Sequence, residues 1–157
     1  MLNDYLQFAK TQTQENTTEI NLLNLITEIK KNLNNKNLIL EEFDQIILKG
    51  RTFSLKRCFE NVIQNALNYR KKVHINIQKS SNIVIINFED DGPGIPEDQY
   101  KNVFKPFFRL DKSRNLNQSG VGLGLAIVED IVNSHGGNIQ LGQSKYNGLH
   151  VKISLPF

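Results

Sequence analysis

The sequence predicts one α+β domain, and three observations carry that expectation. An apolar stripe recurs at helical period from Phe53 to Arg70, two pairs of alternating apolar runs read as β-hairpins, and a second helical apolar run follows a glycine cluster at Ala126 to Val132. At 157 residues, 39% hydrophobic and 22% charged, the chain builds one core of ordinary size rather than two. Nineteen Lys and Arg against sixteen Asp and Glu leave a formal charge of +3, and no long basic run concentrates it. Nucleic acid and membrane surfaces are therefore not expected partners. The apolar run Ile83 to Ile86 is far too short to cross a bilayer, and the N-terminus lacks a leader pattern, so this piece reads as soluble. Cys58 stands alone and no Cys/His cluster has metal-ligand spacing, which points to a reducing compartment with Cys58 in the core.

In chain order, Leu2, Tyr5, Leu6 and Ala9 have helical spacing, and Thr11 to Thr18 is wholly polar, as at a helix end followed by a linker. Asparagine or threonine caps precede Ile20. A surface helix is expected beyond them, with Leu23, Ile26 or Thr27, Ile29 or Lys30, and Leu33 on its stripe. Two short β-like runs, Leu38–Phe43 and Gln45–Leu48, end at Gly50. The helix over Phe53–Arg70 buries Leu55, Cys58, Phe59, Val62, Ile63, Ala66 and Leu67. Val73–Gln78 and Asn82–Glu89 form the first hairpin, Gly137–Ser144 and Leu149–Leu155 the second.

Candidate chemistry lies on and between these elements. Asn61 and Asn65 are one turn apart beside the apolar face of their helix, where asparagine costs stability unless its amide serves something; a solvated flank accounts for them equally well. Glu89-Asp90-Asp91-Gly92-Pro93-Gly94-Ile95-Pro96 leaves a strand with carboxylates and then glycines, which suits a bound polar heterocycle but also an ordinary turn. Gly120-Val121-Gly122-Leu123-Gly124-Leu125 opens into a helix, where unpaired N–H groups and the positive dipole end suit phosphate oxygens. No Lys-Ser or Lys-Thr follows, as a Walker loop requires, and no strand immediately precedes, as a dinucleotide fingerprint requires. Phe104-Lys105-Pro106-Phe107-Phe108-Arg109 and the polar stretch Asp111–Ser119 read either as an anchored hinge with a flap or as a plain surface loop.

Paired asparagines on a helix, Asp-x-Gly-x-Gly, a Phe-rich box and Gly-x-Gly-Leu-Gly-Leu, in that order, resemble the N, G1, F and G2 boxes of sensor histidine kinase ATP-binding domains, members of the GHKL or Bergerat family. The details Asp-Asp-Gly-Pro-Gly-Ile, Pro-Phe-Phe-Arg and Leu-Ala-Ile-Val are most similar to the osmosensor kinase group. The resemblance covers Ile20–Phe157. It implies a two-layer α/β sandwich, a mixed sheet backed by about three helices with a flexible ATP lid. Residues 1–18 would be the tail of the second dimerisation-hairpin helix plus a linker, and 19–157 the catalytic domain.

The resemblance further implies ATP and Mg²⁺ as ligands. Asn65, assisted by Asn61, would hold the metal, and Tyr69 would lie against adenine. Asp90 would accept from the adenine amino group, with Gly92, Gly94 and Ile95 around the base. Gly120, Gly122, Leu123, Gly124 and Leu125 would cradle the phosphates, and Arg109 or Arg114 would meet the terminal phosphate. The phosphoacceptor histidine would stand on a helical hairpin that this chain lacks, so the fragment is expected to be inactive in autophosphorylation alone. The expected partners are that hairpin and a response regulator receiver domain. The isolated domain is expected to be a monomer, the full kinase a homodimer anchored at the inner membrane with this domain in the cytoplasm.

Asn68 stands where the family's N box often has Lys or Arg, so the expected phosphate contact either passes to Arg70 or Lys71 or is weaker, and Val121 stands where Thr is usual in the second glycine box, removing one hydroxyl near the phosphates. His74, His135 and His150 lie in strands or at a helix end, where structural roles are expected. Two alternatives remain beside the kinase reading: a degenerate nucleotide-sensing docking module, and a GHKL-type ATPase. The ATPase would need a glutamate base at the position of Asn61.

Overall fold

A computed structural model describes residues 15–41, 43–68, 72–106, 108 and 124–157. Its elements run β1 (Thr18–Asn21), α1 (Leu22–Leu33), β2 (Leu38–Leu40), β3 (Ile47–Gly50), α2 (Thr52–Leu67), β4 (Val73–Lys79) and β5 (Ile83–Asp90). Two 3-10 turns follow (Glu97–Gln99 and Asn102–Phe104), then α3 (Gly124–Ser134), β6 (Asn138–Gln143) and β7 (Leu149–Pro156). Five strands form a mixed sheet in the order β2-β4-β5-β7-β6, parallel only between β2 and β4. A separate ribbon pairs β1 with β3.

The strand period of two decides the layering. Val73, Ile75 and Ile77 on β4, Val84, Ile86 and Phe88 on β5, and Val151, Ile153 and Leu155 on β7 are buried in one cluster with the apolar stripes of all three helices. Of their alternates, His74, Asn76, Ile85, His150 and Lys152 are only partly buried, while Asn87 is buried. The result is the expected two-layer sandwich with three helices among the described residues on one face of the sheet. On α2 Leu55, Cys58, Phe59, Val62, Ile63 and Ala66 are buried as the period predicts, whereas Leu67 at the helix end is only half-buried and Ser54, outside the expected stripe, is buried. Phe59 is fully buried and meets the Phe88 ring at 6.1 Å between centroids, which fastens α2 to β5; Phe59→Ala would cost about 3–5 kcal/mol.

Several expectations shift. The cap of α1 is Asn21, which follows Ile20 rather than preceding it, and its side chain accepts the Asn24 N–H at 3.1 Å. Ile20 belongs instead to β1, buried opposite Leu48, and Thr18, at the end of the expected linker, opens that strand. The buried stripe of α1 is Leu22, Leu25, Ile26 and Ile29, with Leu23 half-exposed and Thr27 and Lys30 exposed. The run expected to Phe43 pairs only through Leu40, and the next strand lies at Ile47–Gly50, registered by β1. Asn68 ends α2, its N–H bonded back to the Gln64 carbonyl. The apolar residues at 2, 5, 6 and 9, and the flap expected over 111–119, lie outside the described residues.

Candidate functional site

The chain path places the candidate residues at one end of the helical layer. α2 ends at Leu67, and six residues later β4 opens with Val73, the direct partner of Asp90 at the far end of β5. Asn61 and Asn65, both half-buried on the last turns of α2, are thereby brought to the Asp90 end of the sheet. α3 runs antiparallel to α2. Its C-terminal Ser134 and His135 bond to Arg51 at the start of α2, so its glycine-bearing start at Gly124 lies toward the asparagines.

Asp90 is the most constrained of the set. It is 9% exposed, and its Oδ1 accepts two backbone N–H bonds, from Gly92 at 2.9 Å and from Leu149 at 3.0 Å. The first is a local turn bond; the second crosses from β5 to the start of β7 and fixes the carboxylate plane. Burial pushes the Asp90 carboxyl above its ordinary value of 3.8. The two N–H bonds pull it back, and neighbouring Asp91 adds a smaller upward push. Asp91 is exposed and accepts the Lys72 N–H at 2.8 Å, a bond that ties the β4–β5 end together. Gly94 has φ +72°, a conformation that side chains resist, and Ile95 packs against the core beneath the turn.

Gly148 was not singled out by the sequence. A Cβ there would overlap Asp90 Oδ1 and the Asp90 carbonyl, so only glycine lets the β6–β7 turn close over the carboxylate. Asn147-Gly148 is a hairpin dipeptide, and Asn147 indeed has φ 73°, but the dipeptide alone does not reveal what the turn covers. Gly124 is the opposite case. No described atom lies within 4 Å of a Cβ at that position, so packing among the described residues does not demand glycine. Leu125 and Ala126 behind it are buried and anchor the start of α3.

The donor set also bears on the expected metal. Among the described residues no group of three His, Cys, Asp or Glu could hold an ion, so a protein-only cage is not built from them. Two carboxamide oxygens one helical turn apart suit Mg²⁺ that keeps waters and takes its remaining ligands from phosphates. Tyr69, Arg109, Arg114, Gly120, Gly122 and Leu123 lie outside the described residues. Val103, just ahead of the Phe-rich box, is buried, while Phe104 lines a cavity of about 750 Å³ with Tyr100, Glu129 and Leu141. That cavity shares no residue with the candidate set. His74 stacks on Tyr146 at 4.1 Å, His150 bonds Asn87 at 2.8 Å, and His135 joins Arg51, so each histidine has a partner within the fold. Cys58 is fully buried, and burial pushes its thiol far up, as expected of a core residue.

Residues 50–157 match the family of histidine kinase-, DNA gyrase B-, and HSP90-like ATPases, and the chain belongs to it. The sensor histidine kinase GtrS of Pseudomonas aeruginosa is 36% identical over 107 residues, which are 68% of this chain and 22% of that protein. The chain thus spans about a fifth of that relative's length. Among solved structures, the mycobacterial sensor histidine kinase MprB superposes with a TM-score of 0.76 at 25% identity, covering 90% of this chain and 97% of that one. The histidine kinase domain of the Escherichia coli osmosensor EnvZ is 32% identical with a TM-score of 0.65, covering 88% and 87%.

Proposed function

We propose that the chain is the ATP-binding catalytic domain of a two-component sensor histidine kinase, which transfers the γ-phosphate of ATP to a histidine on a dimerisation hairpin. The observation that carries this reading is Asp90. A buried carboxylate whose Oδ1 is filled by two backbone N–H groups keeps Oδ2 for a ligand donor, at the end of the domain where Asn61, Asn65 and the start of α3 converge. An adenine amino group supplies that donor, whereas the guanine carbonyl would face a carboxylate and be repelled. Gly92, Gly94 and Ile95 border the base, and Tyr69 lies against it.

Asn65, with Asn61 beside it, holds Mg²⁺, which when bound neutralises charge on the phosphates. The N–H groups at Gly120, Gly122, Leu123, Gly124 and Leu125 take phosphate oxygens, and Arg109 or Arg114 meets the γ-phosphate. Phosphoryl transfer then needs positioning more than covalent chemistry: an imidazole nitrogen attacks phosphorus as the bond to ADP breaks. Asn61 occupies the place where a hydrolase of this family would carry its base, and a carboxamide cannot take a proton from water. This favours transfer over hydrolysis. The hairpin and a response regulator receiver domain are the proposed partners, in a homodimeric, membrane-anchored kinase whose catalytic domain works in the cytoplasm. Residues 1–18 are proposed as hairpin tail and linker, and 19–157 as the catalytic domain.

Incubation of the chain with radiolabelled ATP, with and without a dimerisation hairpin from a kinase of this group, tests the reading. Acid-labile, base-stable label on the hairpin alone is expected. Label on His74, His135 or His150, or brisk phosphate release without the hairpin, would overturn it.

A further inference from the structure

The N-terminus of α2 is capped from far away. Its N-cap residue, Arg51, has only donors in its side chain and makes no capping bond. The first-turn amides are taken instead by Glu15: Oε2 accepts the Phe53 N–H at 2.6 Å, and Oε1 accepts the Ser54 N–H at 3.0 Å and the Ser54 hydroxyl at 2.9 Å. A carboxylate is the favourable charge at this end of a helix. Thr18 adds a hydroxyl contact to Thr52 at 3.3 Å. Glu15 lies outside residues 50–157, the part matched by the family, so the cap belongs to the segment leading into the domain.

Arg51, which has no acceptor with which to cap, turns to α3. Its backbone N–H donates to His135 Nε2 at 3.0 Å and its guanidinium Nη2 donates to the Ser134 hydroxyl. His135 in turn uses Nδ1 on the Ile131 carbonyl at 2.8 Å, which assigns the proton to Nδ1 and leaves Nε2 as the acceptor. Gly50 makes room for the ring, since a Cβ there would come within 3.0 Å of His135 Cδ2 and 2.9 Å of Leu55 Cδ1. Three arms therefore meet at Arg51: the incoming segment through Glu15, the helix that bears Asn61 and Asn65, and the helix that begins at Gly124.

We propose that Glu15 is a positioning residue for the nucleotide site: by capping α2 from the incoming segment it leaves Arg51 to clamp α3, and the junction sets the spacing of the two helices at their opposite, ligand-binding ends. A local cap such as Ser at position 51 would satisfy the same amides but lose the guanidinium bond to Ser134, leaving α3 held only by the backbone bond to His135. The inference rests on the nucleotide reading above for its functional consequence, though not for its geometry. Coupling between two ends of packed helices is reciprocal, so nucleotide binding must also protect the junction.

Three forms of the full chain decide it: wild type, Glu15→Ala, and Glu15→Ala with Arg51→Ser. Each is followed by amide exchange at Phe53 and Ser54, by the side-chain amide resonances of Asn61 and Asn65, and by Mg-ATP titration. In Glu15→Ala the two amides exchange faster, both asparagine resonances shift, and Mg-ATP binds about tenfold more weakly. Glu15→Gln, which keeps one acceptor, gives the same pattern at smaller amplitude. In the double variant the new serine restores protection at Phe53 and Ser54, but the asparagine shifts and weak binding persist. If the serine restores all three, Glu15 is only a helix cap and the proposal is overturned. Asparagine resonances unmoved in Glu15→Ala would overturn it as well. Failure of the wild type to bind Mg-ATP would defeat the nucleotide reading, while the asparagine resonances would still decide the junction.

Discussion

The Leu149 backbone N–H donates to Asp90 Oδ1 across 3.0 Å, joining the start of the last strand to the end of the strand that leads into the glycine turn. The bond is buried, and it can form only because Gly148, one residue earlier, has no side chain to strike Asp90. The carboxylate is thus aimed by the β6–β7 turn as much as by its own strand.

Gly148→Ala should therefore damage both stability and binding. The added methyl would overlap the Asp90 carboxylate and carbonyl, and backbone there cannot yield cheaply. A loss of about 2 kcal/mol or more in chemical denaturation is expected, with nucleotide affinity falling further than stability alone explains. A substitution that leaves the denaturation midpoint unchanged would mean that the turn does not press on Asp90.

Asp90→Asn should separate fold from function. The Asn oxygen can still accept from Gly92 and Leu149, so the turn survives. Burial raises the folded pKa of Asp90, so the folded state holds its proton to higher pH than the unfolded chain does. Stability from this group is full below the unfolded value of 3.8 and declines as pH rises through the elevated folded value. Asn removes that decline. Melting curves across the acidic range should show the variant at least as stable as the parent at neutral pH, with adenine binding abolished.

His135 predicts a slope of the opposite sign. Burial lowers its pKa; the bond to the Ile131 carbonyl opposes this, Arg51 adds to the lowering, and Glu15 opposes it. The unfolded chain then takes up the proton first, and stability is lost as pH falls below the ordinary value of 6.5 toward the depressed one. Protonation would also remove the Nε2 acceptor for the Arg51 N–H. In His135→Asn, denaturation followed between neutral and mildly acidic pH should show a shallower slope; a slope identical to the parent's would exclude His135 as its source.

Much of this architecture was legible because its signals are local. The period over Phe53–Arg70 named six of the residues that α2 buries, and two hairpins were readable from alternation. The glycine turn after Asp90 could be singled out because a strand-end carboxylate followed by Gly-x-Gly is a local pattern. What escaped is long-range. Gly148 is set by a bond joining residues 59 apart in sequence, and Glu15 caps amides 38 and 39 residues away. β1 escaped because Thr-Glu-Ile-Asn carries a single buried residue, too little alternation to stand out from a polar stretch; its pairing with β3 makes it a strand.

Asn65→Ala should remove the dependence of nucleotide affinity on Mg²⁺ while leaving the weaker, metal-free binding in place. Asn65 is only half-buried, so the fold should lose little. Parallel titrations with Mg²⁺ and with a chelator check this. A variant that keeps the full metal dependence would place the asparagine on a merely solvated flank.

The site itself is tested most directly by titration calorimetry of the parent chain and Asp90→Asn with Mg-ATP and Mg-GTP. A carboxylate aimed at an adenine amino group predicts binding of ATP to the parent, much weaker binding of GTP, and loss of the difference in the variant. No heat with ATP at millimolar concentration, or equal affinity of the parent for ATP and GTP, would contradict it.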